Sequence, residues 1–345
     1  MNNYFYTFCD DDHVKIAKLH ICTWDLRGRK ASLELGILIP VIPELPERFD
    51  IYVFSSIFNP QCDIFSLHKE LNDAENFKFI FNEKHLGSDN LGDDGRNGHI
   101  VRYRANDQEK TVAIVDFSKS LSDGFIKLTL QKFAGNYDYL YCRFFIQTGF
   151  PSLSERTKGI AKDFYKFDIK INERRNIPNS IVEYRDTHNL HDTEVTSAYC
   201  LHCVPDDYEL SYSDTRKMVS LRILELDAFK RYMETLKDIK GDYIIAFQKD
   251  NVTGSFSFYT SFSRERIGNK QLALALIGNI LCSFLFAEAS WRTSGIQTNQ
   301  SQTIIPYYEW GIALVIFIFC LVYCFSLWSR FIDKLSKLYR WILRK

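Results

Sequence analysis

The chain has 345 residues and carries 43 basic and 43 acidic side chains, so its formal net charge is zero when histidine is neutral. A balanced charge creates no overall field that would attract nucleic acid or acidic substrates, and no nucleic-acid partner is expected. Nine cysteines without a compact framework favour reduced thiols in the cytosol over a disulfide scaffold.

Aromatic residues make up 15% of the chain and prolines number only eight, a composition that favours strands. Alternating apolar residues predict a β-hairpin with strands at 14–24 and 32–39 and a turn at 25–30. A strand at 49–54 and a helix at 65–77 follow.

The glycine-rich stretch 87–98 predicts a solvent-exposed loop. Its carboxylates lack the alternation and the closing glutamate of an EF-hand, so a calcium site is not expected there. Several short strands with turn signals between them are typical of an antiparallel β-sandwich, and we assign residues 1–172 to a β-rich cytosolic domain. The later strands predicted in it are 111–117, 124–133, 137–147 and 163–171.

Charge, asparagine and proline interrupt the strand pattern at 172–180, which predicts a domain boundary. A smaller α+β domain is expected at 180–268. Its predicted helix is 227–237, with Asp227 available as the N-cap. Its predicted strands are 219–226, 242–247 and 255–262.

The densest group of potential metal ligands comprises His188, His191, Cys200 and Cys203. Imidazole and thiolate groups in H-x2-H and C-x2-C pairs can bind tetrahedral Zn²⁺, so one interpretation is a structural zinc site in the second domain. The alternative is an ordinary strand with a buried cysteine pair and surface histidines. A catalytic zinc is not indicated, because no H-x-E or H-E-x-x-H arrangement lies nearby.

Other catalytic signals are weak. The sequence contains no Walker A loop, dinucleotide fingerprint, nucleophile elbow or kinase signature, which disfavours an enzyme. Cys9 precedes three aspartates and His13. A solvated turn is expected there, because neighbours in sequence need not be neighbours in space.

Two apolar runs near the carboxyl end predict a transmembrane hairpin at 271–328. The run 311–328 contains no charged residue and is long enough for a helix that spans a hydrocarbon layer of ~30 Å. Trp310 and Trp328 bound it, as expected for side chains at the two membrane interfaces. The run 272–287 is shorter and contains Asn279, so a buried amphipathic helix is the alternative there.

The charges around these runs predict their orientation. Basic residues precede the first run and dominate the tail at 329–345, whereas the loop between the runs contains a single arginine, Arg292. The positive-inside rule therefore places both termini in the cytoplasm, and the start of the chain shows no signal-peptide pattern. We expect a multi-pass protein of the bacterial inner membrane whose tail forms a cationic amphipathic helix on the bilayer surface.

Small and polar residues recur along the first run and include Gly278, Asn279 and Ser283. Such residues let helices approach closely and form hydrogen bonds in lipid. Their partner could be the second run of the same chain or another protomer. A homo-oligomer is expected, because a two-helix hairpin alone cannot enclose a water path.

A soluble region followed by two apolar runs resembles, in topology, bacterial anti-phage effectors with a cytosolic domain fused to two transmembrane helices. The resemblance implies that a small-molecule trigger or partner protein activates the cytosolic domain, that the domain oligomerises, and that the helices perturb or permeabilise the membrane. The alternative is a membrane-anchored enzyme or a structural subunit of a membrane complex.

Overall fold

The computed structural model describes residues 3–92, 97–122, 124–147, 153–159, 162–233, 236–252, 254–265, 276–284, 286–287, 311 and 314. The chain forms two compact units, Met1–Glu265 and Arg266–Lys345. The boundary predicted at 172–180 lies inside the first unit. Strands from both sides of it belong to the same sheets, so the predicted domains 1–172 and 180–268 share one fold.

Nineteen strands are described in the first unit. In chain order they are β1 (Asn3–Cys9), β2 (Lys18–Trp24), β3 (Ser32–Pro40), β4 (Arg48–Phe54), β5 (Ile64–Ser66), β6 (Lys84–Asn90), β7 (Gly98–Ala105), β8 (Gln108–Val115), β9 (Ser118–Ser122), β10 (Phe125–Gln131), β11 (Tyr139–Ile146), β12 (Ser154–Lys158), β13 (Lys162–Ile171), β14 (His191–Asp192), β15 (Ala198–Pro205), β16 (Tyr208–Ser213), β17 (Met218–Ile223), β18 (Tyr243–Asp250) and β19 (Phe256–Glu265).

Three α-helices accompany these strands in the described part of the unit: α1 (Ala74–Phe81), α2 (Asn179–Thr187) and α3 (Leu226–Tyr232). Short 3₁₀ turns lie at Glu70–Asn72 and Arg174–Asn176. Asp73 begins α1, because its carboxylate accepts two amides of the first turn that would otherwise lack partners. Asn82 ends the helix in the left-handed conformation, with φ of 53°.

The strands form two sheets. The first has the order β16-β19-β13-β1-β4-β10-β9, with β12 and β14 paired to β13 and β1. The second has the order β17-β18-β15-β2-β3-β11-β8-β7-β6, with β5 paired to β11. The sheets are mixed and not purely antiparallel, because β1–β13, β2–β15 and β8–β11 are parallel pairs.

The sheets pack face to face around the main core, so the predicted β-sandwich is correct in outline. Strand β3 shows how the sequence builds it: Leu33, Leu35, Ile37 and Ile39 point into the core between the sheets, whereas Leu38 belongs to a second core. This alternation is the period of two expected of a strand. Helices α1 and α3 cover the second core on the outer face of the second sheet, and α2 packs on the outer face of the first.

Several local predictions are confirmed and others are wrong. The hairpin of β2 and β3 matches its prediction. The predicted helix at 65–77 instead contains the end of β5, a 3₁₀ turn and only the start of α1. The predicted loop at 87–98 contains the end of β6, which pairs with β7. Helix α3 has Glu225 as its N-cap, and Asp227 lies in its first turn.

In the second unit, residues 276–284, 286–287, 311 and 314 are helical. Within the described residues, no helix is both long enough and apolar enough to cross a membrane. The predicted tail at 329–345 and the predicted interface residues Trp310 and Trp328 lie outside the described residues.

Candidate functional site

The four predicted zinc ligands are not brought together. Cys200 and Cys203 are three residues apart on β15, so they lie on opposite faces of the sheet and belong to different cores. His188 is exposed and stacks on Tyr184, at a ring distance of 3.9 Å. His191 is exposed on β14. A C-x2-C pair can converge on a metal when it lies in a turn. Here the pair lies within a strand, which directs the two thiols to opposite faces of the sheet.

His202, which no sequence motif marks, lies between the sheets and has specific partners there. Its Nε2 lies 3.4 Å from the sulfur of Cys200, and its Nδ1 lies 2.8 Å from the Thr23 hydroxyl. Burial lowers the pKa of His202 to about 3 and raises the pKa of Cys200 well above its ordinary value. The pair is therefore neutral, which makes it a structural contact, since a reactive thiol must ionise.

Among the described residues, one group of three His, Cys, Asp or Glu side chains converges: Asp11, Asp12 and His13. They lie in the turn after β1, and the Nδ1 of His13 is 2.9 and 3.0 Å from its two carboxylate partners. Cys9 is buried beside this turn, and burial raises its pKa. The expected solvated turn is observed, and the thiol lacks the low pKa that a nucleophile needs.

An extensive buried polar network lies on the outer face of the second sheet. Arg143 on β11 forms an ion pair with Glu34 on β3, and both side chains are almost completely buried. The indole N–H of Trp24 donates to the other Glu34 oxygen at 2.9 Å. The Tyr232 hydroxyl of α3 also donates to Glu34. Each charged group therefore has an opposite charge and hydrogen-bond partners, as a buried ion pair requires.

The Nη1 group of Arg143 contacts further side chains on the same face of the sheet. Its Nη1 donates to the Tyr141 hydroxyl at 2.7 Å and lies 3.1 Å from Nδ1 of His20. Gly36 makes this arrangement feasible, because a Cβ at that position would overlap the Tyr141 hydroxyl. Burial lowers the pKa of His20 well below its ordinary value, and the Arg143 charge adds to the effect.

This network joins helix α3 to the strands beneath it. Burial would lower the pKa of Arg143, but the charge of Glu34 outweighs that effect and keeps the guanidinium charged. Burial raises the pKa of Tyr232, and the negative charge of Glu34 raises it further. The hydroxyl therefore stays protonated and remains a donor. The arrangement stabilises the packing of the helix on the sheet.

A surface cavity of about 270 Å³ lies beside β1 and β14. Its walls combine apolar groups with an amide and an ion pair, in which Arg174 Nη2 is 3.3 Å from Asp192 Oδ2. Asn172 adopts the left-handed conformation, with φ of 51°, and its Oδ1 accepts the Thr7 amide at 2.9 Å. The volume is just below the ~300 Å³ at which pockets for drug-sized ligands begin.

The predicted membrane-interface residues lie in the second unit. The Ser283 hydroxyl donates a hydrogen bond to the Asn279 carbonyl, one helical turn earlier, at 2.9 Å. This bond satisfies the serine within its own helix. A Cβ at Gly278 would meet no atom within 4 Å.

Large apolar side chains of the second unit are exposed. Among the described residues of this unit, Leu276, Ile280, Phe286 and Leu314 are each at least 45% exposed. A Cβ on Gly311 would lie 3.4 Å from a ring carbon of Phe284, so a residue of the second apolar run lies near the first.

The sequence did contain a signal for the buried network. Glu34 and Arg143 are single charged residues within otherwise apolar strands, and such a residue must find a partner when it is buried. Their pairing was not predictable, because 109 positions separate them in the chain. No protein-family model matches the sequence, and no curated protein matches it.

Proposed function

We propose that this protein is a membrane-anchored sensor and effector. In this proposal, the β-rich unit lies in the cytosol and oligomerises, and two transmembrane helices then perturb or permeabilise the bacterial inner membrane in anti-phage defence. The observation that carries the proposal is the pair of apolar runs, 272–287 and 311–328, with basic residues before the first and after the second.

The described part of the second unit supports this proposal. Its exposed leucine, isoleucine and phenylalanine side chains are unfavourable in water, whereas lipid tails are a suitable environment for them. The proximity of Gly311 to Phe284 is compatible with two helices that pack side by side. A glycine allows such close approach because it has no side chain.

The test is induced expression of the full chain in bacteria while the membrane potential is followed with a fluorescent dye. We expect depolarisation by the parent protein and a large reduction in the Leu321→Arg variant, because a charge near the centre of an apolar run disfavours insertion by about 2.5–3.5 kcal/mol. Leu321→Ile is the matched control and should behave like the parent. Membrane-associated parent protein that never depolarises cells, even at high expression, would favour an anchor over an effector.

A further inference from the structure

Strand β17 forms one end of the second sheet and presents apolar side chains to solvent. It pairs with β18 on one side, and no strand of the described residues pairs with its other side. Val219, Leu221 and Ile223 are 54, 49 and 68% exposed. An exposed apolar edge strand is a template for pairing with another strand, and soluble proteins usually protect such edges with charges or cover them.

The hydrogen bonds to β18 show which backbone groups face outward. The amide of Leu224 donates to the Tyr243 carbonyl at 2.8 Å, and Ile223 lies opposite Ile244. Inward and outward groups alternate along an antiparallel strand. Arg222 and Leu224 therefore direct their N–H and C=O groups toward β18, whereas Leu221 and Ile223 direct theirs toward the open edge.

We propose that this edge is a self-association surface, on which β17 pairs antiparallel with β17 of a second copy and Leu221 lies opposite Leu221. The inference rests on the proposed function, since it names the surface through which the cytosolic unit oligomerises. In this register the two Leu221 residues form a hydrogen-bonded pair, because both direct their backbone groups outward. The twofold symmetry makes the contact closed, so it yields a dimer and not a fibre.

Side-chain complementarity selects this register over its neighbours. Ile223 comes beside Val219 of the second copy, and Arg222 comes opposite Ser220. A shift that centred the pairing on Arg222 would place two arginines opposite each other, which is destabilising. A shift that centred it on Ile223 would place Leu221 opposite Glu225.

The ends of the strand add charge complementarity. Arg216 and Lys217 precede the strand, and Glu225 follows it. Antiparallel pairing around Leu221 brings the basic end of one copy beside the acidic end of the other. Arg216 is 87% exposed and forms an ion pair with Asp214 of its own chain, and Glu225 is also exposed, so Glu225 of the second copy would be an additional acidic partner for Arg216.

The strand is also short, which limits the strength of the contact. A register irregularity lies between Met218 and Ser220, so the regular ladder begins at Ser220. A bulge of this kind interrupts edge pairing. A few hydrogen bonds and apolar pairs give a weak, concentration-dependent dimer, and confinement to a membrane would favour it by raising the effective concentration.

Cysteine crosslinking of the full chain in detergent micelles tests the register. The background protein carries alanine at Cys282, Cys320 and Cys324; the other six cysteines are buried. Leu221→Cys should give a covalent dimer under mild oxidation, because facing Cα atoms in a hydrogen-bonded pair are about 5.5 Å apart, within disulfide range. Ile223→Cys is the matched control and should not crosslink, because its equivalent in the second copy lies about 13 Å away along the strand.

Equal crosslinking of both variants would indicate random collision and would overturn the proposal, as would the absence of any dimer. Crosslinking of Ile223→Cys alone would overturn this register. As a second measurement, Leu221→Lys should shift the mass in light scattering toward the monomer, whereas Val252→Lys, at a similarly exposed site, should not.

The membrane-potential assay separates this proposal from the effector function. If the protein crosslinks specifically through β17 but never depolarises cells, the interface is supported and the effector function is rejected. Full depolarisation by a Leu221→Lys protein that has lost the β17 dimer in light scattering would reject a functional role for this interface. The effector would then have to assemble in the membrane through its apolar runs.

Discussion

Glu34 and Arg143 form an ion pair between the neighbouring strands β3 and β11, enclosed on the sheet face that α3 covers. We expect Arg143→Met to lower the free energy of unfolding by about 3–5 kcal/mol, because it leaves a buried carboxylate without its partner. The double variant Glu34→Leu, Arg143→Met should be more stable than this single variant, since no charge then remains buried. Urea unfolding followed by tryptophan fluorescence measures both.

Lys78→Met is the matched control for this experiment. Lys78 forms an ion pair with Glu75 on the surface of α1, where both side chains are about half exposed. Solvent screens such pairs, so little change in unfolding is expected. Equal effects of Lys78→Met and Arg143→Met would contradict the special role of the buried pair.

Stability should fall at mildly acidic pH because burial lowers the pKa of several histidines, among them His20, His99 and His202. The contribution of His99 can be isolated by substitution. Burial lowers the pKa of the His99 side chain to about 4; a hydrogen bond to the Leu71 carbonyl opposes the shift, and His68 and His85 add to it. In the unfolded chain a histidine has a pKa of about 6.5. Between these values the unfolded state binds the proton more readily, so folding loses at most about 1.4 kcal/mol per pH unit as the pH drops from 6.5.

At pH 5 the expected loss from His99 is about 2 kcal/mol. The free energy of unfolding should therefore differ less between pH 7 and pH 5 in the His99→Gln variant than in the parent. His13→Gln is the control: His13 is exposed, and its hydrogen bond with Asp11 raises its pKa, so it does not contribute to this loss. A parent-like pH dependence in His99→Gln would assign the acid sensitivity to other groups.

The sequence predicted the local strands better than their partners. The alternation in β2, β3 and β4 was readable because one face of each strand is buried in the main core. The parallel pairing of β1 with β13 could not be predicted, because it joins residues such as Asn3 and Ile169 that lie far apart in the chain. The polar residues of β6 resembled a loop, since that strand is mostly exposed.

The candidate sites show the same limit. The cysteine pair of β15 suggested a metal site only because spacing in sequence does not reveal whether a segment is a turn or a strand. The buried network depends on Arg143 meeting Glu34 and Tyr232 from two distant segments. Such pairings are set by tertiary packing, and periodicity in a single sequence does not encode them.

The topology predicted from charge can be tested with an impermeant maleimide on intact cells. We expect labelling of Ser301→Cys in the loop between the apolar runs and protection of Ser257→Cys. Ser257 is exposed on β19, so burial within the fold would not explain its protection. Both variants need the background with Cys282, Cys320 and Cys324 replaced, and cell lysis should make Ser257→Cys reactive. The reverse labelling would contradict the predicted orientation.

The final prediction concerns Asn279, whose amide would lie in the hydrocarbon layer if the first run crosses the membrane. An amide in lipid has no water to bind, so it seeks a partner across a helix interface, and each contact contributes on the order of 1 kcal/mol. In an oligomer this contribution is repeated in every copy. We expect Asn279→Leu to insert at least as well as the parent but to weaken membrane-bound oligomers and depolarisation.

Ser283→Ala is the matched control for Asn279→Leu, because the Ser283 hydroxyl already donates to the Asn279 carbonyl within its own helix. Its loss should therefore affect assembly less than the loss of the amide. Chemical crosslinking in membranes measures the oligomers, and a potential-sensitive dye measures depolarisation at equal expression. Full oligomerisation and full depolarisation by Asn279→Leu would show that the amide has no role between helices, and the apolar contacts of the two runs would then have to account for assembly in the membrane.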